Sequence, residues 1–325
     1  MFVQMSDQEK RELVSEWFRL VDAPIAIDSA GKYGAGLALE VISRELSHLG
    51  IAPADVIISN KLAWRRKPLV TPEPTFEPGV WVGLRHDAVQ DISYDGIKRC
   101  HEDGCRMLGD FPAQLLSVHD PDEYLDAAQD SSDRKRRIDD IVGAYRALSE
   151  LKAAGEIMGV GIGAKNWQSI RELSEYCEFD WVMMANSFTV MNHPPELMDF
   201  IGDLGKNQIG LINSAVTHGG FLTGGGFLDY REINPEDPAH AKAIQFRSRL
   251  QEICKRHDVT TYDVCVAFGK SHPAITTLAL STTRIKRVQS MVESVVSKTI
   301  PSAVWSDLRA ENLISADYPF LPQSS

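Results

Sequence analysis

Short apolar runs alternate along the chain with stretches in which apolar residues return every three or four positions. The runs are Ile25–Asp28, Val56–Lys61, Leu115–His119, Met158–Ala164, Trp181–Asn186, Ile209–Ala215 and Thr276–Ser281. Most are apolar on consecutive residues, as strands covered on both faces of a parallel sheet are. Leu37, Val41, Ile42, Leu46 and Leu49 share one helical face, with Gly50 where a C-terminal cap is expected. Ile138, Ile141, Val142, Tyr145, Leu148 and Leu151 form another, ended by Gly155. Residues 7–21, 91–108, 166–177, 195–205, 239–257 and 284–297 are further predicted helices. This alternation over 325 residues points to an α/β fold, and a (β/α)8 TIM barrel forming a single domain over 1–325 fits it best. Seven strands are clear rather than eight, because residues 1–5 are too few for a strand before the helix that starts near Ser6.

Two stretches break the rhythm. Residues 62–90 show no regular pattern and hold Pro68, Pro72, Pro74 and Pro78. In a barrel they leave the C-terminal end of a strand, on the face where active sites are built, so a lid or specificity loop is expected. Trp64, Trp81 and His86, with Arg65, Arg66 and Arg85, suit a polar substrate there. The second stretch, 219–237, carries Gly224, Gly225 and Gly226.

Composition narrows the partners. The 34 basic residues against 45 acidic ones leave a net charge of −11, a poor match to a nucleic-acid backbone. No run approaches the ~18 consecutive apolar residues of a membrane span. No signal peptide is evident, and five scattered cysteines read as reduced thiols, so a cytoplasmic protein without nucleic-acid or membrane partners is expected. A homo-oligomer is left open. His101 and Cys105 sit four apart, but a helix explains the spacing and no second pair completes a site, so no metal is expected.

The candidate chemistry lies at strand ends. Asp28 ends IAID, Tyr33 follows in DSAGKYG, Lys61 ends VIISNK and His119 ends LLSVH. Parallel strands bring such ends to one rim, and a charge closing an apolar strand must be paired or functional. A buried lysine beside a tyrosine lowers the phenol from its ordinary value of about 10, while an aspartate keeps the lysine charged. A histidine can orient a carbonyl or hydroxyl. Together they suit a tyrosine acid/base for carbonyl–alcohol interconversion, which also needs a hydride carrier.

At these residues the chain resembles the aldo-keto reductase superfamily, through IAIDSAGKYG, VIISNK, LLSVHDPD and MGVGIGAKNW. ISYDGIKRC, HDPDEY and GAYRALSELKAAGEI are similar to the L-galactose, L-fucose and D-threo-aldose 1-dehydrogenase branch, which also includes a pyridoxal dehydrogenase. The resemblance implies oxidation of an aldose at its anomeric carbon to a lactone, with hydride passed to NAD or NADP. It makes Tyr33 the general base, Lys61 its tuner, Asp28 the anchor of Lys61, and His119 the residue that positions the C1 hydroxyl.

The implied cofactor residues depart from the family pattern. Gly163 and Ala164 replace a Ser-Asn pair that holds the nicotinamide amide, leaving Lys165 or Asn166 to substitute. Ser214 begins Ser-Ala-Val-Thr in place of Tyr-Ser-Pro-Leu, so a stacking aromatic is missing. Gly220 and its neighbouring amides are expected at the pyrophosphate, and Ser281, Thr283 and Arg284 near the adenosine. The branch leans toward NAD, while Arg284 and Lys286 keep NADP open. The family's capping hairpin and glycine-rich first strand are missing, which a start codon assigned too late explains better than an incomplete barrel. Two alternatives stand beside the dehydrogenase: an NADPH-dependent aldehyde or ketone reductase, and a non-catalytic cofactor-binding protein.

Overall fold

The computed structural model describes residues 5–229 and 231–321. The chain forms two compact units, one of residues up to Val182 with Thr282–Val288, the other of Met183–Ser281 with the residues from Gln289 onward.

The first unit opens with α1 (Asp7–Leu20), whose start is fixed by a capping box between Ser6 and Glu9. It continues through β1 (Ile25–Ala30), α2 (Leu37–His48) and β2 (Val56–Leu62). β3 (Trp64–Pro68), β4 (His86–Gln90), α3 (Tyr94–Leu108), β5 (Leu115–His119) and α4 (Pro121–Asp126) follow. α5 (Ser131–Ala153), β6 (Gly159–Ala164), α6 (Trp167–Leu173) and β7 (Trp181–Ala185) complete the run, and the division between units falls inside β7. Strands β1, β2, β5 and β6 lie side by side in that order, all parallel. On β2, β5 and β6 the apolar runs are buried as the pattern predicts, with Ile58, Leu116, Val118, Val160 and Ile162 nearly inaccessible. β1 departs from it, burying Ile25 and Ile27 but leaving Ala26 and Asp28 exposed. The register sets Ser59 beside Asp28, Lys61 between Ala30 and Ser117, and His119 beside Gly163.

Helix α2 turns differently from its predicted face. Leu37 is exposed, and Leu39, Ile42, Glu45 and Leu46 are the buried positions. Glu45 is tolerated inside because Arg11 and Arg44 pair with it at 2.9 and 2.7 Å.

The segment from 62 to 90 corrects the expectation of no regular structure. β3 and β4 form an antiparallel hairpin in which Trp64 faces Gln90 and Pro68 faces His86. WRRKP and HDAVQ have no apolar alternation, so they give no strand signal. The loop between them is held from inside instead. Phe76 packs with Ala35 and Ala88 under Trp64, Trp81 and Leu84. The buried Asp87 carboxylate accepts hydrogen bonds from the Thr75 amide and hydroxyl, at 3.0 and 2.6 Å.

The second unit holds the end of β7, then α7 (Pro195–Lys206), β8 (Gly210–Ser214), β9 (Phe227–Leu228) and β10 (Arg231–Glu232). α8 (Pro238–Arg256), α9 (Thr261–Gly269), β11 (Thr277–Ala279), most of α10 (Val288–Val296) and α11 (Ser302–Ala310) complete it. β8 and β11 pair in parallel, Ala279 opposite Ser214. The short helices α4, α9 and α11 were not predicted. The glycine-rich stretch 219–237 includes the small β9–β10 ladder. It is pinned by His218, whose Nδ1 lies 2.7 Å from Asp229 and whose Nε2 lies 2.8 Å from the Thr189 hydroxyl. Among the described residues no helix is long and apolar enough to cross a membrane.

Candidate active site

Asp28, Tyr33, Lys61 and His119 come together in the first unit. Lys61, on β2, is buried and ion-paired with Asp28 on β1, whose other carboxylate oxygen accepts from Ser59 at 3.0 Å. The Lys61 ammonium stands 4.9 Å from the centroid of the Tyr33 ring. On another side the Tyr33 ring meets His119 edge-on, with centroids 5.4 Å apart and planes at 87°. One phenol thus has a cation and an imidazole as immediate neighbours.

Burial acts on each group, and the neighbours decide the outcome. It works against the Lys61 charge, but Asp28 and then Tyr33 outweigh it and hold the lysine above its usual value. For Tyr33, burial raises the phenol; Lys61 pulls it down, and Asp28 and Asp120 push it up again. The net shift is upward. This reverses the lowered phenol expected from sequence, because one cation does not overcome burial and two carboxylates. Burial is also the main cause that brings His119 down to about 3, against the opposing pull of Asp120, so the imidazole is neutral near neutral pH.

Gly163 is part of this arrangement, on the strand next to His119. A Cβ at Gly163 would lie 3.0 Å from Cδ of Lys61, closer than side chains normally approach. The missing side chain makes room for the lysine stem.

Lys32 was not singled out from sequence. Its ammonium is buried, 3.1 Å from Asp120, 2.9 Å from Glu77 and 3.5 Å from Glu123, and 4.8 Å from the Trp64 ring centroid. Nothing in DSAGKYG distinguishes it from a loop lysine, since its partners arrive from distant parts of the chain. Lys165 pairs with Glu123 and lies 3.6 Å from Asp120. The Asn166 side-chain oxygen caps α6 through the Gln168 amide at 2.9 Å. The backbone amides of Lys165 and Asn166 both donate to Asp122.

The expected substrate residues separate. Trp64 and Trp81 flank Phe76, and the Trp81 indole donates to Glu77 at 2.7 Å, so both adjoin the Lys32 cluster. His86 lies at the opposite end of the hairpin, four residues or about 13 Å along the ladder from Trp64. Arg66 is taken by Glu40 at 2.6 Å and by the Ala35 carbonyl, and Arg65 lies 3.5 Å from Asp103. These arginines fasten the hairpin to its neighbours.

Among the remaining expected cofactor residues, Thr283 and Arg284 are exposed in the first unit. In the second, Ser281 is exposed and the Ser214 hydroxyl donates to the Met184 carbonyl at 3.2 Å. Gly220 has a left-handed φ of 91°, and its amide is already donated to Thr217 at 3.2 Å. The second unit also shows a residue that sequence reasoning missed. Asn186, just past β7, is buried with a φ of 58°, and neither its side-chain oxygen nor its nitrogen has a hydrogen-bond partner. Its polarity at the end of an apolar strand was the available signal.

The profile of the aldo/keto reductase family matches residues 4–312. The chain belongs to this family. It is 29% identical over 299 residues to pyridoxal 4-dehydrogenase of Microbacterium luteolum, covering 89% of this chain and 84% of that one. It is 23% identical to a D-threo-aldose 1-dehydrogenase of a Pseudomonas species, covering 97% and 91%. The fold matches the holo form of an aldo-keto reductase from Bacillus halodurans with a TM-score of 0.67 at 18% identity, covering 96% and 89%. A glycerol dehydrogenase from Gluconobacter oxydans matches with the same TM-score at 16% identity, covering 98% and 91%. The fold class is therefore the (β/α)8 barrel of aldo-keto reductases, and the protein is an oxidoreductase of that family.

Proposed function

We propose that the protein oxidises the anomeric carbon of an aldose to a lactone, with NAD or NADP as hydride acceptor and Tyr33 as the proton-transferring group. The observation that carries this reading is the single cluster formed by Tyr33, the buried Lys61 with its partner Asp28, and His119. Tyr33 accepts the proton of the C1 hydroxyl. Lys61 stabilises the phenolate form that receives it, and Asp28 keeps Lys61 charged. Neutral His119 donates a hydrogen bond to the C1 oxygen. A bound nicotinamide would supply the acceptor for the hydride of C1. The names of the two relatives favour a substrate in this class, because aldoses and pyridoxal both close to cyclic hemiacetals whose oxidation gives lactones.

The residues present suit a nicotinamide nucleotide in one respect and depart from the usual holders in others. The unpaired, buried Asn186 amide offers the donor and acceptor that a carboxamide needs. Gly163 has no side chain to offer, and the Gly220 amide and Ser214 hydroxyl are already bonded within the protein. The exposed Arg284 and Lys286 leave NADP beside NAD.

A second reading is carbonyl reduction with NADPH. The raised Tyr33 phenol favours it, since a tyrosine that keeps its proton at neutral pH is suited to act as the acid. Rates with aldoses and NAD or NADP, set beside rates with simple aldehydes and NADPH, test one against the other.

A further inference from the structure

His119 carries a single proton on a buried ring, and the side chains around it determine which nitrogen holds that proton. Its Nδ1 is buried with no hydrogen-bond partner. Its Nε2 lies 3.6 Å from Oδ2 of Asp120. Unlike the ring, Asp120 is held tightly. Its carboxylate is buried, 3.1 Å from Lys32 and 3.6 Å from Lys165. Its amide donates to the Gly163 carbonyl at 2.9 Å. Asp120 has φ 50° and ψ 51°, a left-handed conformation that a residue with a Cβ seldom adopts. It also precedes α4 as the N-cap, yet its side chain bonds no helix amide, although capping is the usual use of an aspartate side chain there. The carboxylate is turned toward Lys32 and the imidazole instead.

We infer that Asp120, fixed by the buried Lys32, is a positioning residue that holds the His119 proton on Nε2. Whichever tautomer forms, Nδ1 is left unpaired, so Nδ1 contributes little to the choice. The carboxylate on the other side decides it. A proton on Nε2 presents an N–H to a negative charge, whereas a proton on Nδ1 turns the Nε2 lone pair toward that charge. In the Nε2–H form Nε2 is the donor of the ring and Nδ1 its acceptor, so a substrate oxygen held by this histidine is held from Nε2. Lys32 has a second attachment. Glu77, with φ 48°, reaches it from the loop of the β3–β4 hairpin and also accepts from the Trp81 indole. The same ammonium therefore ties the aromatic face of the insert to the carboxylate beside His119.

This inference rests on the proposed role of His119 as a donor, but its test does not depend on turnover. Nitrogen-15 spectra of histidine-labelled protein report the tautomer of each ring, and the His119 signals are assigned by their loss in His119→Gln. The wild type is expected to show Nε2 protonated. Asp120→Asn, which keeps the shape and leaves Lys32 paired with Glu77 and Glu123, is expected to show a mixed or Nδ1–H ring and a kcat lowered about tenfold or more. A wild-type ring protonated on Nδ1 overturns the inference on its own, even if the variant does not fold. An unchanged tautomer in folded Asp120→Asn overturns it equally. A tautomer shift in protein that oxidises no sugar supports the inference and counts against the aldose reading alone.

Discussion

The Lys61 ammonium lies 4.9 Å from the centre of the Tyr33 ring and is ion-paired with Asp28. That cation pulls the phenol downward, against burial and two carboxylates. Replacing it in Lys61→Met should move the Tyr33 titration further up. We expect turnover to fall by roughly 10²-fold or more, in the range general acid–base groups contribute, with the thermal midpoint less affected. The pH profile of kcat and a melting curve on the same protein measure both.

The pH dependence should differ between directions. Oxidation needs Tyr33 able to accept a proton, so its rate should rise with pH through the alkaline range toward the raised phenol value. Reduction needs the protonated phenol and should decline over the same range. His119, held down to about 3, should contribute no inflection between pH 5 and 8. Profiles of kcat/KM in both directions check this, and a limb near 6.5 would show that the imidazole titrates as an ordinary one.

Gly163→Ala should damage catalysis more than folding. The added methyl meets the Lys61 stem at 3.0 Å, so the lysine must shift by a few tenths of an ångström or the strands must part. A lowered kcat with a similar melting temperature is expected. Crystals of the variant would show the Lys61–Asp28 pair displaced.

The insert depends on Asp87. Burial opposes its charge, but the Thr75 hydroxyl, the Ala88 amide, the Lys67 ammonium at 3.2 Å and the Thr75 amide hold it down to about 2. A carboxylate lowered on folding stabilises the protein above its unfolded value of about 3.9, and that contribution is lost as pH falls toward 2. Asp87→Asn should cost about 1–3 kcal/mol locally, as loss of a charged buried acceptor does. Faster proteolysis between Pro68 and His86 at neutral pH is the readout.

What was legible in the sequence follows from range. The strands carrying Asp28, Lys61 and His119 were readable because each is a short apolar run, and an ionisable residue ending such a run is conspicuous. The hairpin was not, because its stability comes from Phe76 and Asp87 rather than from any alternation in WRRKP or HDAVQ. Lys32 was invisible because Glu77, Asp120 and Glu123 reach it from 45 to 91 residues away. The sign of the Tyr33 shift was misjudged because a motif shows the cation but not the depth of burial. His86 was grouped with Trp64 by proximity in sequence, and an antiparallel ladder places them at opposite ends.

The most direct test of the catalytic cluster is reduced-nicotinamide formation by purified wild type and Tyr33→Phe on a panel of aldoses, with NAD and NADP supplied separately. The arrangement around Tyr33 predicts sugar-dependent reduction of one cofactor by the wild type and a rate about 10²–10⁴-fold lower in the variant. A folded wild type that reduces neither cofactor with any sugar, or a Tyr33→Phe protein as active as the wild type, would contradict it.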